Sequence, residues 1–209
     1  MSGVRVAVRI RPLNQKEKGD GITKCCSTIK EGSRPSTNVV IRKQAKDKYL
    51  KSQSEMFNEY CLDAAFDENS TQKEVYEATT KPYLTNLIEG LNVTVFAYGA
   101  TGAGKTHTMM GNARCDEATA NGDAGIIPNA LFDMFALIEK KQAEAEDGEN
   151  YSLSCSFLEV YNEQVYDLLR TDSDRKYLSV LEDQERGVVV VKDLKEMSVK
   201  SPEEVMKLL

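Results

Sequence analysis

Gly99-Ala100-Thr101-Gly102-Ala103-Gly104-Lys105-Thr106 is the stretch that decides how this 209-residue chain reads. Its glycines leave backbone N–H groups uncovered by side chains, so consecutive amides are free to curl around an anion. The lysine and threonine at its end add a point charge and a hydroxyl. The spacing is G-x-x-x-x-G-K-[ST], the pattern of a loop that cradles phosphates where a helix begins and presents the positive end of its dipole. A chance match in a chain of ordinary composition is on the order of 1%.

The surroundings of the loop suit that reading. Val93 to Tyr98 are apolar or β-branched throughout and bounded by Asn92 and Gly99, which predicts a buried strand feeding the loop. A helix is expected after it. In such a cradle Lys105 meets the β and γ phosphates of a nucleotide and the Thr106 hydroxyl ligates Mg²⁺. A dinucleotide fingerprint, G-x-G-x-x-G, would need glycine at position 107, where His107 stands. That histidine, the single one in the chain, has no partners for a metal site or a catalytic triad and reads as a contact of the nucleotide or its surroundings.

Binding is not hydrolysis, which also needs a metal-orienting carboxylate, a group that positions water and a sensor of the γ-phosphate. The nearest candidate for the carboxylate is Asp193, after Val188 to Val191 and Lys192. A charge interrupts that short run, so Asp193 reads better as a solvated strand end.

Composition sets the outer bounds. The length fits one domain or part of a larger one, and 41% hydrophobic with 29% charged residues excludes collagen-like, low-complexity and wholly disordered chains. Twenty-seven Lys plus Arg against 33 Asp plus Glu give a net charge of −6, which argues against a nucleic-acid coat. The charge is uneven: residues 1 to 105 carry 16 basic and 12 acidic side chains, and the rest carry 11 and 21. An acidic partner would therefore meet mainly the first half. Cys25, Cys26, Cys61, Cys115 and Cys155 suit neither a disulfide framework nor a zinc site and read as reduced, buried thiols. No apolar run reaches membrane-spanning length and no signal peptide opens the chain, so a cytosolic or nuclear protein is expected.

Outward from the loop, Val4, Val6, Val8 and Ile10 alternate with polar or small residues as a strand stopped by Pro12. Asn38 to Arg42 is a strand candidate, and Arg42, Lys43, Lys46, Lys48 and Lys51 make a basic, exposed run. Thr71 and Glu74 form a capping-box pair that predicts a helix running to Gly90 with an interruption at Pro82. Ile127, Ala130, Leu131, Met134, Phe135 and Ile138 follow helical spacing, with Lys140 to Asn150 as a charged loop. Ser152 to Val160 reads as a strand and Glu163 to Leu169 as a short helix. Tyr177 to Leu181 and Val188 to Val191 are further strands, and Ser201-Pro202 starts a last helix.

Several motifs together resemble the kinesin motor domain. Val8-Arg9-Ile10-Arg11-Pro12-Leu13-Asn14 is similar to the family's first-strand motif. Phe66, Asp67, Ser70, Thr71, Gln72, Val75 and Tyr76 look like the lead into its first helix, and Phe96 to Met109 like its extended phosphate loop. Gly125-Ile126-Ile127-Pro128 and Leu158-Glu159-Val160-Tyr161-Asn162-Glu163 complete the set in family order. Ala100, the basic segment Arg42 to Lys51, and Glu163-Gln164 before Asp167-Leu168-Leu169 look most like the kinesin-8 class.

The resemblance implies an α/β fold of the P-loop NTPase-like kinesin motor type, a central mixed sheet flanked by helices, incomplete at the C-terminus. It implies an ATP-driven, Mg²⁺-dependent microtubule motor of the cytoplasm and microtubule cytoskeleton, with spindle or nucleus as further sites. By position Arg9, Arg11 and Pro12 would line the adenine, and Gly99, Ala100, Thr101, Gly102, Ala103, Gly104, Lys105 and Thr106 the phosphates. His107 would stand at the pocket's edge and Gly111 to Ala124 would be a variable loop, while Asn129 replaces a common arginine and is given no role. Arg186, with Lys43, Lys46 and Lys48, would meet tubulin, an acidic partner. Oligomerisation would come through segments outside these residues, and neither nucleic acid nor membrane is an expected partner.

The family's γ-phosphate sensor segments, Ser-Ser-Arg-Ser-His and Asp-Leu-Ala-Gly, do not occur in the sequence. Residues 1 to 209 therefore read as the amino-terminal part of one motor domain, with no catalytic residue of its own and little or no ATP turnover. By family topology a missing strand lies between Val4 to Ile10 and Val93 to Tyr98, so both would show unpaired edges and the chain would be partly folded at best. The alternative is a non-catalytic, truncated product that binds tubulin or a motor partner. A small nucleotide kinase would place its phosphate loop near the chain start, unlike Gly99.

Overall fold

The computed structural model describes residues 3–29, 36–42, 57–112, 122–144, 150–170, 177–185 and 187–209. They fall into two units, Met1–Ala130 and Leu131–Leu209. Lys43, Lys46, Lys48, Lys51, Cys115 and Arg186 lie outside the described residues.

The first unit is built on a mixed four-stranded sheet. Its strands are β1 (Ala7–Arg9), β2 (Cys26–Ile29), β3 (Ser36–Arg42) and β4 (Phe57–Phe66), in the order β1-β4-β3-β2. β1 runs parallel to β4, with Ala7 opposite Ala64 and Arg9 opposite Phe66, whereas β2, β3 and β4 pair antiparallel. Between β1 and β2 lies α1 (Gln15–Gly19), started by a capping box in which Asn14 and Glu17 satisfy each other's backbone N–H groups.

After β4 the capping box at Thr71 and Glu74 forms as the sequence predicts and opens α2 (Gln72–Thr79). Pro82 then converts the chain to a 3₁₀ turn, Lys81–Tyr83, before α3 (Leu84–Ile88), because proline has no N–H to continue the helical ladder. The phosphate-loop pattern leads into α4 (Lys105–Met110), and Ile126–Glu144 form the long α5. Ala64 and Phe66 on one face of β4 pack with Val75 of α2 and Ile126 of α5, with Ala78 and Met109 against them. That apolar cluster seats α2 and α4 beside the end of β1.

In the second unit Leu153–Cys155 form β5, paired with β11 (Met197–Val199). A three-stranded antiparallel sheet, β6-β7-β8, is made of Leu158–Tyr161, Gln164–Asp167 and Tyr177–Leu178. Val180–Asp183 (β9) and Val188–Val191 (β10) make a hairpin, and α6 (Pro202–Leu208) starts at an N-cap Ser201. Asp167, 2% exposed, is held at the end of β7 by hydrogen bonds from the N–H groups of Leu169 and Lys195 and by Arg170.

Six expectations fail, the first being Tyr177 to Leu181 as one strand: they divide between β8 and β9 of different sheets, because β8 pairs with β7 and β9 with β10. Val93 to Tyr98 form no ladder with any described residue, and Phe96 and Tyr98 are 75% and 96% exposed, because no neighbouring strand takes up their backbone groups. Glu163 to Leu169 are not a helix. Asn162 and Glu163 adopt φ of 48° and 63°, the left-handed pair of a tight hairpin turn, which sends Gln164 back along Tyr161 as β7. Ser152 to Val160 divide into two strands of different sheets, since β5 finds its partner in β11 and β6 in β7. Residues Lys140 to Glu144 continue α5, aided by the i,i+4 pair of Lys140 with Glu144. Finally, none of the described cysteines is buried: Cys25, just before β2, and Cys61 of β4 are exposed, and Cys26 of β2 and Cys155 of β5 are partly exposed.

Candidate nucleotide site

Gly104 sets the geometry of the loop. As N-cap of α4 it holds φ 96° and ψ 20°, a left-handed conformation that a residue with a Cβ adopts only under strain. The turn is closed by the Ala103 N–H donating to the Ala100 carbonyl at 3.0 Å, and the Thr108 N–H donates to Gly104 at 2.9 Å. Lys105 reaches back over the loop, its ammonium donating to the carbonyls of Gly99 at 2.9 Å and Ala100 at 3.2 Å. Thr106 is exposed in the first turn of α4.

The end of β1 brings two arginines to this loop. Arg9 donates through Nη1 to Gln72 Oε1 at 2.7 Å and to Thr108 Oγ1 at 3.1 Å, and through Nη2 to the Ser70 carbonyl at 3.2 Å. It therefore ties β1 to α2 and α4 at once, and burial pulls the guanidinium's pKa down. The Arg11 stem passes beside the loop, 3.9 Å from where a Cβ on Gly104 would lie. Its head donates to the Pro12 carbonyl at 3.0 Å and to Glu17 at 2.6 Å, a bond that raises the guanidinium's pKa and holds the Glu17 carboxyl below its usual range.

His107 lies between Gln72 and Asn112, with Nε2 3.2 Å from Gln72 Nε2 and Nδ1 3.1 Å from Asn112 Oδ1. The chain beyond α4 is then clamped shut. Gly111 bridges Ala124, the Gly125 N–H donates to the Met110 carbonyl at 3.1 Å, and Asn129 donates through Nδ2 to the carbonyls of Ala124 and Gly125. Thus Asn129, given no role from sequence, ties down the return of the loop. Gln72 was equally unmarked as a site residue; a polar residue in the first turn of a capped helix just before the apolar Val75 and Tyr76 was the signal for it.

The structure thus gathers Arg9, Arg11, the loop Gly99 to Thr106 and His107 around the start of α4. The residues present fit a nucleoside polyphosphate: a lysine and open loop amides for phosphate oxygens, and a hydroxyl for a divalent cation. Among the described residues no group of three or more His, Cys, Asp or Glu side chains could hold a metal ion, so such a cation would depend on the Thr106 hydroxyl and phosphate oxygens. No helix among them is long and apolar enough to cross a membrane.

The class defined by this arrangement is an α/β protein with a phosphate-type loop at the start of a helix, beside the end of β1 of a mixed sheet. The kinesin motor domain profile matches residues 9–209, and the chain belongs to that family. KIF18A of Mus musculus, a kinesin-8, is 38% identical over 212 residues, covering 99% of this chain and 22% of that protein. Klp61F of Drosophila melanogaster is 33% identical, covering 99% and 18%, and KIF19 of Homo sapiens 36% identical, covering 98% and 19%. A solved structure of a fast kinesin, described with its ATPase mechanism and interactions with microtubules, matches with a TM-score of 0.78 and 29% identity over 98% of this chain and 51% of that one. The chain therefore spans about a fifth of the length of these curated relatives and about half of the solved motor chain.

Proposed function

We propose that the chain is the amino-terminal, nucleotide-binding part of a microtubule-based motor ATPase, and that it binds Mg²⁺-ATP or ADP at Gly99 to Thr106. The observation that carries the reading is the turn of Lys105 across its own loop onto the Gly99 and Ala100 carbonyls, above a helix whose first turn offers Thr106. When bound, the metal supplies neutralising charge between phosphate oxygens. Lys105 exchanges neutral carbonyls for a charged partner, the loop amides orient the phosphates, Arg9, Arg11 and Pro12 form the adenine side, and His107 stands at the pocket's edge. In the complete motor Lys43, Lys46, Lys48 and Arg186 meet the acidic surface of tubulin, and the protein works on microtubules of the cytoplasm or spindle.

Two measurements test this. Equilibrium titration of the chain with a fluorescent adenine nucleotide and Mg²⁺ is expected to give saturable binding that Lys105→Ala weakens about a hundredfold, since charged hydrogen bonds are worth about 1.5–3 kcal/mol. Equal affinity in the variant overturns the assignment. Charge reversal of Lys43, Lys46 and Lys48 is expected to lower microtubule affinity of the complete motor at low salt, and unchanged affinity removes those contacts.

The exposed run of Val95, Phe96 and Tyr98 ahead of the loop, which forms no ladder among the described residues, favours a second reading, in which the chain alone binds tubulin or a motor partner without turning over ATP. Turnover by the chain within tenfold of a complete motor would exclude it.

A further inference from the structure

Gln72 is a polar side chain only 4% exposed, and the identity of its neighbours fixes every one of its hydrogen bonds. Arg9 Nη1 has only protons to offer, so the atom 2.7 Å from it must be the amide oxygen. The His107 backbone carbonyl only accepts, so the atom 2.7 Å from it must be the amide nitrogen. Two independent partners thus impose the same orientation on the amide. One N–H of that nitrogen is spent on the carbonyl, and the other faces His107 Nε2 at 3.2 Å. A donor aimed at a ring nitrogen requires that nitrogen to be bare. The imidazole proton then belongs on Nδ1, where Asn112 Oδ1 stands at 3.1 Å to accept it.

We propose that Gln72 is a positioning residue that couples Arg9, at the end of β1, to the phosphate-loop helix by holding His107 as its Nδ1–H tautomer. Arg9 also donates to Thr108, so β1, α2 and α4 are joined by one chain of hydrogen bonds, Ser70–Arg9–Gln72–His107–Asn112. The device sets the spacing between the adenine-side arginine and the helix that carries Lys105 and Thr106. Its consequence for nucleotide affinity rests on the function proposed above, whereas the tautomer does not.

The test uses the fact that His107 is the only histidine of the chain, so its ring nitrogens give an unambiguous signal. Long-range proton–nitrogen spectra of the ¹⁵N-histidine-labelled full chain, at mildly alkaline pH and without nucleotide, are expected to show a protonated Nδ1 and a bare Nε2. Two carboxylate substitutions on opposite sides of the ring should act oppositely. Gln72→Glu replaces the donor by an acceptor and moves the proton to Nε2; Asn112→Asp keeps an acceptor at Nδ1 and leaves the wild-type pattern. A role in packing alone predicts no such opposition. An averaged or Nε2-protonated ring in the wild type, or the same spectrum in both variants, overturns the proposal. Titration with the fluorescent nucleotide is read separately. Gln72→Glu is expected to weaken it about tenfold, and if the wild type binds no nucleotide while the tautomer is as stated, the function proposed above fails and the joint stands.

Discussion

Asp167 Oδ2 accepts the backbone N–H of Lys195 at 2.8 Å, joining the end of β7 to a stretch 28 residues further along the chain. The same carboxylate takes the Leu169 N–H at 2.9 Å and Arg170 Nε at 3.1 Å. Burial alone would raise its pKa, but the Lys195 and Leu169 amides and then Arg170 outweigh it and hold the group below the ordinary aspartate value. Asp167→Ala strands these donors and is expected to lower stability by about 3 kcal/mol, as for breaking a buried pair, read from urea unfolding.

The pH dependence follows from that depressed pKa. Above about pH 4, near the aspartate value of an unfolded chain, the stabilisation is fully present. As pH falls the unfolded chain takes up the proton first, and the contribution is lost down to the folded pKa. Stability measured from pH 7 downward should therefore fall less steeply in Asp167→Asn than in the wild type. Parallel profiles would contradict the assignment.

The turn at Asn162 and Glu163 places two side-chain-bearing residues in the left-handed region. Asparagine tolerates it, but glutamate carries a penalty of about 1–2 kcal/mol relative to glycine, partly offset by glycine's greater chain entropy. Glu163→Gly is expected to raise stability by about 0.5 kcal/mol and Glu163→Val to lower it by about 1 kcal/mol. Thermal unfolding of the two variants reads the opposite signs.

What the sequence made legible was local. The capping box of Thr71 and Glu74 needs only residues three apart, and the phosphate loop only eight in a row, so both could be read directly. Gln164 to Asp167 became a strand because Tyr161 and Tyr177 lie on either side of it, and the sign for this was the Asn162-Glu163 turn, which lacks the glycine that usually announces one. Val93 to Tyr98 have strand composition, but a strand also needs a neighbour, and composition does not say where that neighbour is. Likewise Gln72 was legible as a family residue, while its bonds to Arg9 and His107 required three distant segments to be brought together.

Gly111 and Gly125 close the ends of the segment between α4 and α5 by backbone contact. A Cβ on Gly111 would lie 2.1 Å from the Asp123 carbonyl oxygen and 2.6 Å from the Gly125 nitrogen; one on Gly125 would lie 2.6 Å from Gly111 N and Met109 O. Neither set of atoms is a flexible side-chain end. Gly111→Ala and Gly125→Ala are each expected to cost about 3 kcal/mol, and to speed proteolytic cleavage between residues 112 and 124. Unchanged melting and cleavage would mean that the two backbones need not approach so closely.

Arg9 serves three acceptors on two different segments, Gln72 Oε1, Thr108 Oγ1 and the Ser70 carbonyl. A lysine keeps the charge but offers a single point donor on a shorter reach, so it cannot span all three. At a half-buried site the abandoned acceptors also lose water, and Arg9→Lys is expected to cost about 2 kcal/mol. Because Arg9 and Gln72 share one bond, Arg9→Lys and Gln72→Ala should not add. A double-mutant cycle by urea unfolding is expected to show a coupling of about 1 kcal/mol. Strict additivity would mean that Arg9 is held by Ser70 and Thr108 alone, and that the amide of Gln72 carries no load between β1 and the phosphate-loop helix.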